Sequence, residues 1–193
     1  IDTDGFMEDI LAIDELEGTI TGILHAINDG VADKVQADEL HLLYGRDYIV
    51  EEVLGLKFKI SPFSFFQTNT FGAEKLYSIV REFIGDREVD MIYDLYSGTG
   101  TIAQILSTVC ERVIGIEIVE EAVEVARENA NLNNLHNVEF IAGDVLREVD
   151  NLNVEPDLVI IDPPRDGIHS KAINKIIDFN PKAFIYVSCN PVT

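Results

Sequence analysis

The sequence predicts an α/β fold in which helices cover a mostly parallel β-sheet, preceded by a small β-rich appendage. From Ile92 onward, short β-branched apolar runs alternate with amphipathic stretches, which is the pattern of a parallel sheet wrapped by helices. Residues 19–61 lack this alternation and instead contain two segments rich in β-forming residues. We therefore divide the chain into an appendage over residues 1–61 and a larger α/β domain over residues 62–193.

Apolar runs predict the five strands of the larger domain, at 91–95, 113–117, 138–142, 158–162 and 184–188. Ahead of the first strand, Asn69 or Thr70 is suited to cap a helix that runs to about Ile84. Its apolar residues at helical spacing are Leu76, Ile79, Val80 and Phe83. Between the second and third strands, apolar residues from Ala122 to Ala130 share one helical face opposite several glutamates, so this helix is expected to pack on the sheet.

The appendage carries less specific patterns. Segments 19–27 and 47–61 are rich in β-forming residues, and Leu54-Gly55 is suited to a turn. Residues 6–17 are expected to form a short acidic helix without chemical function. We interpret the whole segment as part of a linking or central domain.

Composition limits the class of protein. A chain of 193 residues, 47% hydrophobic and 25% charged, has the size of one substantial domain with a small addition. No apolar run approaches the roughly 18 residues of a membrane span, and no secretory signal is recognisable, so a cytoplasmic protein is expected. Its two cysteines, Cys110 and Cys189, are too few for a disulfide framework or a cysteine-based zinc site. We therefore expect no metal in this chain.

The charge of the chain opposes binding to nucleic acid. A net charge of −21 repels phosphate backbones, and neither the appendage nor the larger domain forms a basic footprint. A nucleic-acid partner would therefore require positive surface from outside this sequence.

The segment Asp94-Leu95-Tyr96-Ser97-Gly98-Thr99-Gly100 is a candidate cofactor turn. It follows an apolar strand and precedes a helical pattern that begins near Thr101, so its glycines lie where backbone approaches a ligand closely. Gly98-x-Gly100-x-x-Ala103 also fits the fingerprint of nicotinamide and flavin enzymes. Asp94 favours S-adenosylmethionine (SAM), because SAM carries a positive sulfonium and an amino group but no phosphate.

Two further carboxylates end the next strands. Glu117 is placed to accept hydrogen bonds from both ribose hydroxyls, which either cofactor would offer. Asp144 follows the third strand, where it would accept from an adenine amino group. Ligands of open α/β sheets bind outside the carboxyl ends of strands, so these positions predict a cofactor site. Helix capping is the alternative explanation for the same residues.

The last two motifs concern the methyl acceptor. Asp162-Pro163-Pro164-Arg165 is a rigid loop after the fourth strand. Many methyltransferases of exocyclic amino groups carry an aromatic residue where Arg165 stands, so Arg165 counts against that reaction and is a candidate substrate contact. Cys189 emerges after the fifth strand at the same sheet edge. A thiolate there can attack C6 of uracil and make C5 nucleophilic toward the sulfonium methyl group, after which a base removes the C5 proton.

Four motifs in order, Ser64 to Asn69, Asp94 to Gly100, Asp162 to Gly167 and Ser188 to Pro191, resemble those of the RNA uracil-C5 methyltransferases, which form 5-methyluridine in tRNA and ribosomal RNA. The resemblance covers about residues 19–193. It implies a class I SAM-dependent methyltransferase fold, Rossmann-like, with strand order 3-2-1-4-5 and without the last two of the usual seven strands.

The resemblance also implies roles for individual residues. It assigns Cys189 the covalent adduct with uracil C6. The SAM contacts that it implies, together with the turn, are Gln67, Asp94, Tyr96, Gly98, Gly100, Thr101, Glu117, Asp144 and Asp162. Thr101 and Asp144 match positions that vary in the family. The family's general base is a Glu downstream of the cysteine motif and is not in this sequence, so we expect the chain to bind cofactor but turn over poorly.

The same resemblance suggests partners. Members normally carry an N-terminal RNA-binding domain, and often an iron–sulfur cluster held by four cysteines, which this chain's two cysteines cannot hold. We expect structured RNA as substrate, ribosomal RNA before tRNA, with the basic surface outside this chain. Strand 184–188 would be an exposed edge, which predicts self-association. Three alternatives stay open: a methyltransferase of another RNA or small-molecule atom, a nicotinamide-dependent oxidoreductase, and a non-catalytic binding module.

Overall fold

The computed structural model describes residues 3–14, 16–29, 37–85, 87–152, 154–163, 167–168 and 170–188. Contacts between Cα atoms divide the chain into two compact units. The first comprises Ile1–Val50 and Lys59–Ser64, and the second Glu51–Phe58 and Phe65–Thr193. Among the helices in the described ranges, none has both the length and the apolar character needed to cross a membrane.

In its described residues, the first unit contains a helix and an antiparallel strand pair. These elements are α1 (Thr3–Leu11), β1 (Gly22–Ile27) and β2 (Glu39–Gly45). Gly22 lies opposite Gly45, and the register shifts between Ile23 and Leu24. The predicted acidic helix therefore starts and ends earlier than residues 6–17. Strand β2 lies outside both predicted β-rich segments, because its leucines have no β preference of their own and pairing with β1 decides its conformation.

A hairpin follows, formed by β3 (Ile49–Val53) and β4 (Leu56–Ile60). Its turn is Leu54-Gly55, as predicted, and both residues have positive φ, 50° and 81°. Two consecutive left-handed residues suit the right-handed twist of a two-residue hairpin. The backbone N–H of Leu54 also donates to the Glu74 carboxylate at 3.0 Å, which fixes the turn.

The second unit holds the α/β domain. Its elements in chain order are α2 (Thr70–Ile84), β5 (Met91–Leu95), α3 (Thr101–Ser107), β6 (Arg112–Glu117), α4 (Glu120–Leu132), β7 (Val138–Ala142), α5 (Val145–Glu148) with a 3-10 turn (Val149–Asn151), β8 (Leu158–Ile161), α6 (Ser170–Asp178) and β9 (Ala183–Tyr186). The five strands pair in parallel in the order β7-β6-β5-β8-β9. In order of appearance this is 3-2-1-4-5, so the predicted topology is confirmed.

Helix α2 begins where predicted, and packing decides its buried face. The Asn69 side chain accepts a hydrogen bond from the Gly72 N–H at 2.9 Å, which confirms the N-cap. The buried residues are Ala73, Tyr77, Val80 and Ile84. Of the apolar residues whose spacing predicted the helix, Val80 is buried, whereas Phe83 is 61% exposed. Both sets of residues have helical spacing, and the set that includes Tyr77 is the buried one.

The two faces of the sheet have different neighbours. On one face, Tyr93 and Leu95 of β5 belong to a buried cluster with residues of α5 and α6, including Val145 and Ile176. Side chains alternate along a strand, so Asp94 faces the opposite side. There the Ala103 N–H of α3 donates to the Asp94 carboxylate, which identifies α3 as its neighbour.

Asp157 joins the amino ends of three strands. Its Oδ2 accepts from the backbone N–H groups of Asp90 (2.8 Å) and Met91 (3.1 Å), at the start of β5. Its Oδ1 lies 2.7 Å from Nζ of Lys182, immediately before β9. The Lys182 hydrogen bond, followed by those two amides, holds the pKa of Asp157 below its usual value. The Asp157 carboxylate, which has partners on both oxygens, therefore stabilises this edge of the sheet.

Candidate cofactor site

The turn after β5 is built on left-handed backbone. Tyr96, Gly98 and Gly100 have φ of 65°, 53° and 74°. A Cβ on Gly100 would lie 2.4 Å from the Phe140 ring, whereas a Cβ on Gly98 would meet nothing within 4 Å. Gly100 is therefore required both by its φ and by close packing, and Gly98 by its φ alone. The turn presents open space above Gly98, where a ligand can approach the backbone.

Glu117, the last residue of β6, holds this turn. Its Oε2 accepts from the Gly98 N–H at 3.0 Å, and its Oε1 accepts from the Val119 N–H at 3.0 Å. The carboxylate thus links the turn to the loop before α4. Each carboxylate oxygen has a second acceptor position, so these bonds leave capacity for ligand hydroxyls.

Asp94 is a buried carboxyl with one unsatisfied oxygen. It is 1% exposed, and its Oδ2 accepts from the Ala103 N–H at 2.9 Å. Its Oδ1 has no hydrogen-bond partner among the described residues, and neither has Oγ of Ser97 in the same turn. Burial raises the pKa of Asp94 to about 8, with a further rise from the Asp162 charge that the Ala103 hydrogen bond partly offsets.

Three of the predicted carboxylates face the same side of the sheet. Asp94 lies opposite Gly115 of β6 and Ile160 of β8. Glu117 and Asp162 each follow two residues later, and side chains alternate with a period of two, so both share the face of Asp94. Burial raises the pKa of Asp162 as well. The structure thus brings together the acids that the strand ends predicted.

Tyr77 on α2 joins this group and was not predicted. It is buried, and its phenol pKa is raised by burial and then by the charges of Asp162 and Asp94. These two electrostatic interactions place the phenol near both carboxyls. No local sequence pattern indicated this position, because packing decides which face of α2 is buried.

The other predicted residues that the structure describes are Asp144, Tyr96, Thr101 and Gln67. Asp144 caps α5, with its Oδ1 accepting from the Leu146 N–H at 2.9 Å, so the capping explanation holds for that oxygen. Burial and the nearby Asp144 charge raise the pKa of Tyr96. Thr101 is the buried first residue of α3. Gln67 is half-buried in the segment before α2.

Two predicted residues, Arg165 and Cys189, lie outside the described residues. Cys110 is described, and burial raises the pKa of its thiol to about 11, as expected of an inert cysteine. Among the residues that the structure describes, no group of three or more His, Cys, Asp or Glu side chains is arranged to hold a metal ion.

The site favours a cationic ligand over a phosphate. The unpaired oxygen of Asp94 is an acceptor in need of a donor, and Glu117 and Asp162 add negative charge on the same face. A pyrophosphate would be repelled by these groups, whereas an ammonium or sulfonium group would be attracted. The donor and acceptor set therefore fits SAM.

Comparison with known proteins agrees with this geometry. Residues 31–193 match the family described as tRNA (Uracil-5-)-methyltransferase. The chain belongs to this family. Relatives of this chain include an RNA methyltransferase of Clostridium tetani, 59% identical over 177 residues that make up 92% of this chain and 39% of the relative. Another, from Caldanaerobacter subterraneus, is 56% identical over 90% of this chain and 38% of its own length.

A solved structure agrees as well. The Pyrococcus abyssi tRNA (uracil-54, C5)-methyltransferase in complex with S-adenosyl-L-homocysteine (SAH) superposes with a TM-score of 0.77 at 32% identity, over 90% of this chain and 42% of that one. The class I SAM-dependent methyltransferase fold is thereby confirmed, and a relative with bound SAH supports SAM over a nicotinamide as cofactor. The chain spans about two fifths of the length of the curated relatives it matches.

Proposed function

We propose that this chain is the SAM-binding part of an enzyme that methylates C5 of uracil in structured RNA. The observation that carries the proposal is the unpaired, buried Asp94 oxygen beside the glycine turn, in a chain of the uracil-5 methyltransferase family. SAM supplies an electrophilic methyl group when bound. The residues of this chain bind and orient it.

The cofactor is proposed to lie across the carboxyl ends of β5, β6, β7 and β8. Asp94 and Asp162 attract the positive groups of its methionine part, and Glu117 accepts from the ribose hydroxyls with the lone pairs that Gly98 and Val119 leave available. The second oxygen of Asp144 accepts from the adenine amino group. Contacts from Gln67, Tyr96, Gly98, Gly100 and Thr101 complete the proposed set.

The methyl acceptor is proposed to be activated by Cys189. Its thiolate forms a bond to C6 of uracil, and the electron pair of the C5–C6 double bond moves into an enolate. C5 then takes the methyl group from the sulfonium, which leaves as a neutral sulfide. A base removes the C5 proton, and the returning electron pair restores the double bond and expels the thiolate. The target uridine has to leave its stack to reach the thiol.

The RNA itself is proposed to be held largely by surface outside this chain. A net charge of −21 repels phosphates, and the curated relatives are more than twice as long as the matched segment. Ribosomal RNA remains our first candidate substrate. The Pyrococcus abyssi enzyme acts on tRNA, which makes tRNA the second.

Covalent trapping tests the proposed chemistry. RNA containing 5-fluorouridine should form a denaturation-resistant complex with the protein as the cell makes it, because fluorine at C5 blocks the final proton removal. Cys189→Ala should abolish the complex, whereas Cys110→Ala should retain it. A complex that survives Cys189→Ala, or that is absent from the unmodified protein, would contradict the covalent mechanism.

We also propose that the edge strand β9 supports self-association of this chain. Phe184 and Tyr186 are 45% and 46% exposed, and a cavity of about 610 Å³ runs beside them toward Phe83. Pairing two such edges would satisfy their backbone groups and cover this apolar surface. Sedimentation over a range of concentrations should show dimers that Phe184→Lys removes and that Phe71→Lys, at an exposed position on α2, leaves intact. A concentration-independent monomer would overturn this proposal.

A further inference from the structure

Among the described residues, the charges that act on Asp94 are those of two acidic side chains, and a phenol lies nearby. Asp162 follows β8, Glu117 ends β6, and the Tyr77 phenol projects from α2. From α3, the Ala103 N–H donates to Oδ2 and leaves Oδ1 without a partner among the described residues. An ionised carboxylate at this position would thus have one hydrogen bond and two like charges as neighbours. This environment favours the protonated carboxyl group.

We propose that Asp94 is neutral in the ligand-free protein and releases its proton when the ammonium group of the cofactor binds beside its unpaired oxygen. The inference rests on the proposed SAM site and adds a proton to the binding equilibrium. The ligand's positive charge replaces the proton: the carboxylic O–H bond breaks, the proton passes to solvent, and the carboxylate pairs with the ammonium group. Burial, which raises the pKa of Asp94 to about 8, supports this protonation state at neutral pH.

Proton release makes binding selective for charge. A ligand with an ammonium group can ionise Asp94, whereas an uncharged nucleoside cannot. SAH and 5′-methylthioadenosine separate these cases, because they share the adenosine and the sulfide and differ in the amino-acid group. The affinity for SAH should rise by up to tenfold per pH unit between pH 6 and 8 and level off above about pH 8. The affinity for 5′-methylthioadenosine should stay constant over the same range.

Calorimetric titration in buffers of different ionisation enthalpy counts the protons directly. At pH 7, binding of SAH to this chain should release close to one proton, and binding of 5′-methylthioadenosine should release none. Asp94→Asn should abolish the release. Glu124→Gln, on the exposed side of α4 and outside the proposed site, should leave it unchanged.

The outcomes separate this inference from the proposed function. SAH binding without proton release would overturn the inference and leave the SAM site standing. Equal proton release with both ligands would also overturn it, because the release would then not depend on the ammonium group. If SAH fails to bind at all, the proposed function falls together with the inference. The number of protons that the unmodified chain releases on binding SAH tests the inference even if Asp94→Asn does not fold.

Discussion

The Gly98 N–H donates a hydrogen bond to the Glu117 carboxylate at 3.0 Å, so the turn after β5 is fastened to the end of β6. The other oxygen of Glu117 holds the Val119 N–H at the same distance. A residue proposed to bind the ribose therefore also maintains the conformation of the turn beneath it. Ribose binding and the conformation of the turn are therefore both expected to depend on the Glu117 carboxylate.

Glu117→Gln should weaken SAH binding by ten- to a hundredfold. The amide replaces one acceptor oxygen with a donor and removes the charge, and hydrogen bonds to charged groups are worth about 1.5–3 kcal/mol. Calorimetric titration measures the affinity. Glu124→Gln, on the exposed side of α4, is the matched control and should bind SAH normally. Equal affinities for the two variants would contradict the role of Glu117.

Alanine at the two turn glycines should separate packing from backbone conformation. Gly98→Ala meets only the unfavourable positive φ, which costs about 1 kcal/mol. Gly100→Ala adds a collision with the Phe140 ring and should lose about 2–4 kcal/mol of unfolding free energy in total. Urea unfolding of both variants checks the order. A Gly98→Ala variant less stable than Gly100→Ala would show that the close approach of Phe140 is not what constrains the turn.

Because of the Asp94 carboxyl, the free energy of unfolding of the ligand-free protein should fall as pH rises from about 4 to 8. The folded-state pKa is about 8, above the ordinary value of 3.8, so in this range the folded protein keeps a proton that the unfolded chain has lost. Unfolding then releases a proton and becomes easier as pH increases. The difference in Tm between the unmodified protein and Asp94→Asn, measured at pH 5.5, 7 and 8.5, isolates this residue. A difference that is constant with pH would refute the raised pKa.

Asp157→Ala should destabilise the fold without changing cofactor affinity. It removes the acceptor of two strand-end amides and the partner of Lys182, with an expected loss of about 2–3 kcal/mol. Glu139→Gln, which breaks the exposed ion pair with Arg112, should lose less than about 1 kcal/mol. Denaturant unfolding gives both values, and titration with SAH should give equal affinities. Weaker SAH binding in Asp157→Ala would mean that the two sheet edges are coupled.

The strands of the larger domain were predictable because buried parallel strands appear as short apolar runs. All five lie within two residues of the predicted positions. Strand β2 was missed, since its conformation depends on pairing with β1 rather than on its own residues. Helix α2 was predicted, but its buried face was not, because its apolar residues allow two overlapping faces. The boundary between appendage and domain at residues 61 and 62 stays a prediction.

The acids of the candidate site were predictable for a topological reason. Parallel strands end at one edge, so Asp94, Glu117 and Asp162 were expected together, and the register places them on one face. Tyr77 was missed because its contribution arises from the packing of α2, which no local pattern specifies. The cofactor roles of all these residues stay predictions, as do those of Arg165 and Cys189.

Asp157 and Asp94 stand at opposite edges of the same sheet and differ in how their oxygens are satisfied. The Asp157 carboxylate at the amino edge has partners on both oxygens, whereas Asp94 at the carboxyl edge keeps one oxygen without a partner among the described residues. Stability of the fold and binding of the ligand therefore depend on opposite ends of the strands. An engineer could raise the melting temperature around Asp157 and Lys182 while leaving ligand choice untouched, or redesign the ligand at Asp94 without loosening the strand starts.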